Sequence, residues 1–301
     1  MASVALEIYM LGRQRLLYRD RELFLNLRKG WALLGWLLVS PDQRGDRSRL
    51  AGTLWAEASE DRARRCLNTT MWRLREVMRS AGVDPDAVFD TCGDSVAIRS
   101  DAPVISDVGT FDAMTRGLPA LSDDEAAHRR LAEAIAIYRG DFLVSHDDDW
   151  VMLVRENLRA RYIKAQEDLL QHHLGASQWM QAIDVGRQLL ENDPLLEHVH
   201  RTLIQCHGAL GERTAARRQF EACARLLRVE LDADPMPETV LALNAAVSTH
   251  ALPSVAERLA DATRDRTATE IQMALKHLML AQSILQRVCR QPDDNEAEPE
   301  A

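Results

Sequence analysis

Two short stretches, Trp179-x-x-Ala182 and Arg213-x-x-Ala216, stand 34 residues apart. Each follows shortly after a glycine, Gly175 or Gly211, and each opens a helix-prone run that reaches an Asp-Pro, at Asp193-Pro194 or Asp234-Pro235. A helix pair recurring at this spacing constrains the fold strongly. One pair cannot bury its apolar face alone, so successive pairs must stack. Small side chains such as Ala182 and Ala216 let the paired helices approach closely. From residue 101 onward the pattern is helical only, with helices expected over 123–138, 149–174, 178–190, 195–210, 213–231 and 237–249. The spacing predicts a tetratricopeptide-like array with a concave, protein-binding face. An ordinary helical bundle is the alternative.

The first hundred residues read differently. Val4, Leu6, Ile8 and Met10 alternate with Ala5, Glu7 and Tyr9, which predicts a strand; residues 15–18 and 22–27 predict two more, with Leu23, Leu25 and Leu27 alternating. A dense apolar helix over 28–39 stops at Ser40-Pro41. Asp46 or Ser48 can cap a second helix through Leu50, Leu54 and Trp55. A third runs from Asp61 to Arg79 and closes at Gly82 and Asp84-Pro85. Val88-Phe89-Asp90 and residues 95–98 then flank Thr91-Cys92-Gly93-Asp94 as a short hairpin. Strands, three helices and a hairpin, in that order, predict a winged helix-turn-helix with a small N-terminal sheet.

The third helix carries the chemistry. At 100° per residue, Ala63, Leu67, Thr70, Met71, Leu74, Val77 and Met78 share one face. Arg62, Arg65, Asn68, Thr69, Trp72, Arg73 and Arg79 lie around the other, with Arg64 and Arg75 on the flank. Six arginines stand against Asp61 and Glu76 in this run. Arginine pairs bidentately with guanine and asparagine with adenine, while further arginines hold phosphates, so such a face suits a DNA major groove. A solvated basic surface is the plainer alternative.

The net charge of -9 is unusual for a nucleic-acid binder, but it is divided unevenly. Residues 1–79 hold 15 Lys/Arg and 9 Asp/Glu, a net of +6, whereas the remainder nets -15. A basic reading head on an acidic body fits this division. The five cysteines form no CxxC pair, which suits free thiols in a reducing compartment. The N-terminus shows no signal pattern, and the longest apolar run, 31–39, is too short to span a bilayer. A soluble, cytoplasmic protein without a membrane partner is expected.

Other constellations point to structure rather than catalysis. His198, His200, Cys206 and His207 cluster in one helix, but their spacing matches no closed zinc pattern. His146-Asp147-Asp148-Asp149 is read as the cap and charged first turn of the helix that follows, with cation binding as the alternative. His172-His173 suits that helix's C-terminus. No serine or cysteine nucleophile has a paired base, and no carboxylate pair stands in a recognisable frame, so no enzyme, metal or cofactor is expected. Residues 268–290 read as a further helix that caps the array or pairs two chains, and residues 291–301 as a disordered acidic tail.

Three segments together resemble a known family. The first is Arg47-Ser48-Arg49-Leu50-Ala51-Gly52-Thr53-Leu54-Trp55 with Arg62-Ala63-Arg64 and Trp72-Arg73-Leu74-Arg75. The second is Ala136-Ile137-Tyr138-Arg139-Gly140-Asp141-Phe142-Leu143 with Asp148-Asp149-Trp150. The third is Gly211-Glu212-Arg213-Thr214-Ala215-Ala216-Arg217-Arg218-Gln219-Phe220, then Asp234-Pro235-Met236-Pro237-Glu238-Thr239. Over residues 4–250 the chain is similar to SARP-type bacterial activators, which join a response-regulator-type winged helix to a bacterial transcriptional activator domain. The resemblance implies a mostly α protein: a winged helix over 1–100, a tetratricopeptide-like domain over 101–250 and a C-terminal extension over 251–301. It also implies a sequence-specific activator that binds double-stranded promoter DNA, contacts RNA polymerase, and acts as a homodimer or cooperative pair. The family's recognition positions map to Arg62, Arg65, Asn68, Thr69, Trp72 and Arg73. Phosphate contacts are expected from Arg47, Arg49, Arg64 and Arg75. The competing reading is a protein-interaction scaffold without DNA binding.

Overall fold

The computed structural model describes residues 5–91, 93–116 and 125–248. The expected helix over 268–290 and the acidic tail lie outside the described residues. Contacts divide the chain after Val247, and only the first unit is considered below.

The chain enters as strand β1 (Leu6–Tyr9), which turns back into β2 (Arg15–Tyr18) and then β3 (Arg21–Glu22), all antiparallel. Leu6, Ile8 and Met10 point into the core, as their alternation requires. The strand expected over 22–27 ends at Glu22. Beyond it the chain follows the next helix instead of the sheet: Trp31 Nε1 donates to the Leu25 carbonyl at 3.0 Å, and Phe24 is left 85% exposed.

Helices α1 (Arg28–Val39), α2 (Arg47–Leu54) and α3 (Glu60–Ser80) form the three-helix unit. Asp46 caps α2 by accepting from the Arg49 N–H at 2.9 Å. A second small sheet, in the order β4 (Arg44–Asp46), β6 (Ser95–Ile98), β5 (Phe89–Asp90), holds the hairpin beside α3, and one turn of helix, α4 (Pro85–Val88), leads into it. Buried residues run unbroken along α1 from Gly30 to Leu38. A helix that is apolar all round must be covered all round. The helical region supplies part of that cover, since a Cβ at Gly35 would lie 2.8 Å from Leu143 Cδ1 and 3.0 Å from Phe142 Cζ.

After the hairpin the chain adds a strand that the sequence pattern does not announce. β7 (Val104–Ser106) lies parallel to β1, with Leu6 opposite Val104, and completes the N-terminal sheet. Helix α5 (Asp107–Thr115), also unannounced, follows at once, capped by Ser106 Oγ accepting from the Gly109 N–H at 3.0 Å. The buried Asp107 carboxylate accepts from the N–H groups of Met10 and Leu11 at 2.8 Å and of Val108 at 2.7 Å. This fastens the end of β1 to the start of the helical region. Leu11 also bridges to Phe142. One core therefore runs from Leu6 to Leu158.

The remaining helices are α6 (Glu125–Ile137), α7 (Asp149–Gly175), α8 (Trp179–Asn192), α9 (Glu197–Ala209), α10 (Arg213–Leu231) and α11 (Pro237–Val247). Each packs on its successor from α6 to α11, and α9 also packs on α11. Helices α8 and α10 start 34 residues apart, with Ala182 and Ala216 fully buried where helices meet. A Cβ at Gly186 would stand only 2.6 Å from Leu203 Cδ2, which shows how closely α8 and α9 approach. Glu197 Oε1 ties α9 to the entry of α11, accepting from the Met236 N–H at 2.6 Å and Thr239 Oγ1 at 2.7 Å.

Replacing Asp107 by Asn sets an NH2 group against backbone donors. The expected loss is about 1–3 kcal/mol of unfolding free energy, measured by denaturant titration. Burial raises the Asp107 pKa above the usual carboxylate range, against the pull of the Leu11, Met10 and Val108 N–H groups. A raised folded-state pKa means the stability gained from the proton is present below the unfolded value and lost as pH rises through the folded one. The gap between wild type and Asp107→Asn is therefore expected to shrink as pH rises through that window.

Candidate nucleic-acid interface

Helix α3 divides into two faces. Ala63, Leu67, Thr70, Met71, Leu74 and Met78 are buried and Val77 half-buried, so every residue placed on the apolar face packs inward. Arg62, Arg65, Asn68, Thr69, Trp72 and Arg73 are exposed together on the opposite side, Trp72 at 60%. The helix opens with Glu60 and Asp61 and ends near Arg79, charges that complement its dipole.

The exposed face is partly organised by hydrogen bonds. Arg47, at the start of α2, donates from Nη1 to Asn68 Oδ1 at 2.7 Å, leaving the Asn68 amide NH2 to donate elsewhere. Arg64 donates to Ser48 Oγ at 2.7 Å and pairs with Glu60 at 2.9 Å. Thr69 Oγ1 returns its proton to the Arg65 carbonyl at 2.9 Å. The Arg49 guanidinium lies 5.9 Å from the Trp36 ring centre. Arg75 is turned toward α4, paired with Asp86 at 2.9 Å, and its side chain is only 18% exposed. Among the described residues Arg62, Arg65 and Arg73 have no carboxylate partner.

A groove of about 490 Å3 runs along one side of α3. It is lined by five cations, Arg28, Lys29, Arg62, Arg65 and Arg73, and by no carboxylate. Arg28 and Lys29 were not singled out from the sequence. They read there only as the start of an apolar helix, although two adjacent cations at a helix N-terminus, against the dipole, were the available signal. The groove continues into a cleft of about 810 Å3 toward α3's first turn, which shares Lys29, Trp55, Arg62 and Cys66 with it and is closed by residues 147–150.

Those residues correct one expectation. Asp148 stands at the N-cap of α7, but its side chain makes no capping hydrogen bond. Its Oδ1 instead accepts from Lys29 Nζ at 2.7 Å, and Asp147 pairs with Arg28 at 3.4 Å. His146 is buried, and its Nε2 meets the Arg28 carbonyl at 2.9 Å. Only Asp149 keeps the first-turn role. Nor do the α9 histidines converge: His200 meets the Pro194 carbonyl at 3.0 Å and Gln219 at 2.8 Å, while His207 meets Glu212 at 2.7 Å. Burial lowers the His200 pKa. Among the described residues no group of three or more His, Cys, Asp or Glu is placed to hold a metal ion, and no helix is long and apolar enough to cross a membrane.

The described residues thus form a winged helix joined to stacked helix pairs, with a basic face on the third helix, and the comparisons bear on both parts. Residues 106–247 match the family model described as the bacterial transcriptional activator domain. Among solved structures the chain is similar to Mycobacterium tuberculosis EmbR, solved in complex with a low-affinity phosphopeptide. The two superpose with a TM-score of 0.63 at 21% identity, over 90% of this chain and 72% of that one, a likeness of fold. No curated protein matches the chain in sequence. The match assigns a bacterial transcriptional activator domain to residues 106–247 of the chain.

The two faces of α3 are expected to respond oppositely in thermal or denaturant melts. Leu67→Ala should cost about 2–5 kcal/mol, because it empties a buried site. Trp72→Ala should stay within about 0.5 kcal/mol of wild type, because its side chain lies largely in solvent.

Proposed function

We propose that this chain binds double-stranded promoter DNA through α3 and activates transcription by contacting RNA polymerase. In this reading the exposed face of α3 enters the major groove. Arg65, Asn68 and Arg73 reach base edges, with Arg62, Thr69 and Trp72 beside them. Arg47, Arg49 and Arg64 hold phosphates from α2 and the first turns of α3, and Arg75 joins them if its pair with Asp86 opens. Residues 1–100 serve as the reading module, and residues 101–250 carry contacts to polymerase and to a second copy of the chain. The protein works in the cytoplasm, on the nucleoid.

The observation that carries this reading is the segregation of α3. One face is fully committed to the core, while the other exposes three arginines without carboxylate partners among the described residues, beside an asparagine oriented by Arg47. A helix face needed only for solubility gains nothing from leaving so many like charges adjacent.

DNase footprinting on the DNA upstream of the chain's own gene tests the reading. Wild type is expected to protect a discrete site, and the Arg65→Ala/Asn68→Ala protein to lose it. In titrations against single-base operator variants, Arg65→Ala should lose about 1–3 kcal/mol of discrimination at one position. Equal affinity of that protein and wild type for every variant would contradict the assignment.

A further inference from the structure

The groove along α3 has the chemistry of a channel for one sugar-phosphate strand: five cations, no carboxylate, and a position beside the face proposed to read bases. Two of its cations, Arg28 and Lys29, stand in the first turn of the twelve-residue α1, where the helix dipole also favours an anion. Yet these are the two cations held by carboxylates from the helical region, Arg28 by Asp147 at 3.4 Å and Lys29 by Asp148 at 2.7 Å.

Neither pair is fully satisfied. Asp147 is 88% exposed, and its pair with Arg28 is long and open to solvent. Asp148 satisfies only one oxygen, because its Oδ2 is buried without a hydrogen-bond donor. A phosphate, which takes several donors at once, is a strong competing partner for each cation. Asp147, Asp148 and Asp149 also line the cleft at the first turn of α3, facing Arg62, where they oppose an approaching polyanion.

We propose that Asp147 and Asp148 occupy, in the free protein, two cation sites that DNA phosphates take in the bound one. The helical region thereby restrains DNA affinity directly, through Arg28 and Lys29. Neutralising the two carboxylates in place would raise that affinity. This inference rests on the DNA-binding reading above and deepens it.

The test uses the full chain and a fluorescent duplex of about 30 base pairs of arbitrary sequence, since phosphate contacts need no operator. Affinity is measured by anisotropy across a salt series for wild type, Arg28→Gln/Lys29→Gln, Asp147→Asn/Asp148→Asn and the fourfold variant, each checked for folding by its melting curve. The cation variant should bind more weakly, with a salt slope shallower by about two units. The carboxylate variant should bind at least about threefold more tightly, and most of that gain should be lost in the fourfold variant. Asp147→Asn alone, at an exposed position, should show a smaller gain of the same sign and stands in if Asp148→Asn impairs folding. An unchanged slope in Arg28→Gln/Lys29→Gln would overturn the inference while leaving the DNA reading intact. So would an equal gain with and without the two cations, which would mean general repulsion only. Absence of any DNA binding by wild type would instead overturn the reading beneath it.

Discussion

The Asp107 carboxylate is the constraint on which the rest of the described structure depends. It accepts three backbone N–H groups, two of them from residues almost a hundred positions earlier, at a site closed to water. Left unpaired, those buried donors would be costly. By satisfying them it ends β1 after Tyr9 and starts α5 directly after β7. The winged helix is thereby fixed to the helical region at its own sheet, and not through a tether. The Leu11–Phe142 bridge and the contact of Gly35 with Leu143 extend the same joint onto α1.

This joint matters for function because α1 is shared. One side of it supports α2 and α3, and the other is covered by Phe142 and Leu143. Arg155 secures that cover by donating to the carbonyls of Phe142, Leu143 and His146 at 2.8–3.0 Å. The helix that supports the face proposed to read DNA and the loop that carries Asp147 and Asp148 thus belong to one packed body. A push on the helical region reaches α3 through side chains in contact, which is the physical requirement for coupling between two sites.

Much of this was legible in the sequence, for reasons that are local. The faces of α3 follow from a 3.6-residue period sustained over five turns, and its seven apolar positions all pack inward, Val77 less completely. The 34-residue spacing marked α8 and α10, because each repeat must reproduce the same helix-pair contact. What was missed is non-local. β7 is three residues long and is defined only by its pairing with β1, so it carries no period of its own. The alternation of Leu23, Leu25 and Leu27 looked like a strand, but Leu25 is buried through its tie to Trp31. Asp148 looked like a cap because it precedes a helix; its carboxylate instead follows Lys29, a residue that sequence distance had hidden.

Helix α3 is proposed to read base edges in the major groove. Dimethyl sulfate protection tests it most directly, because the reagent methylates guanine N7 in that groove, where arginine binds. At a site bound by wild type, protected guanines are expected, at least one of which regains reactivity in the Arg65→Ala complex. A stable complex in which every guanine N7 stays as reactive as in free DNA would contradict it.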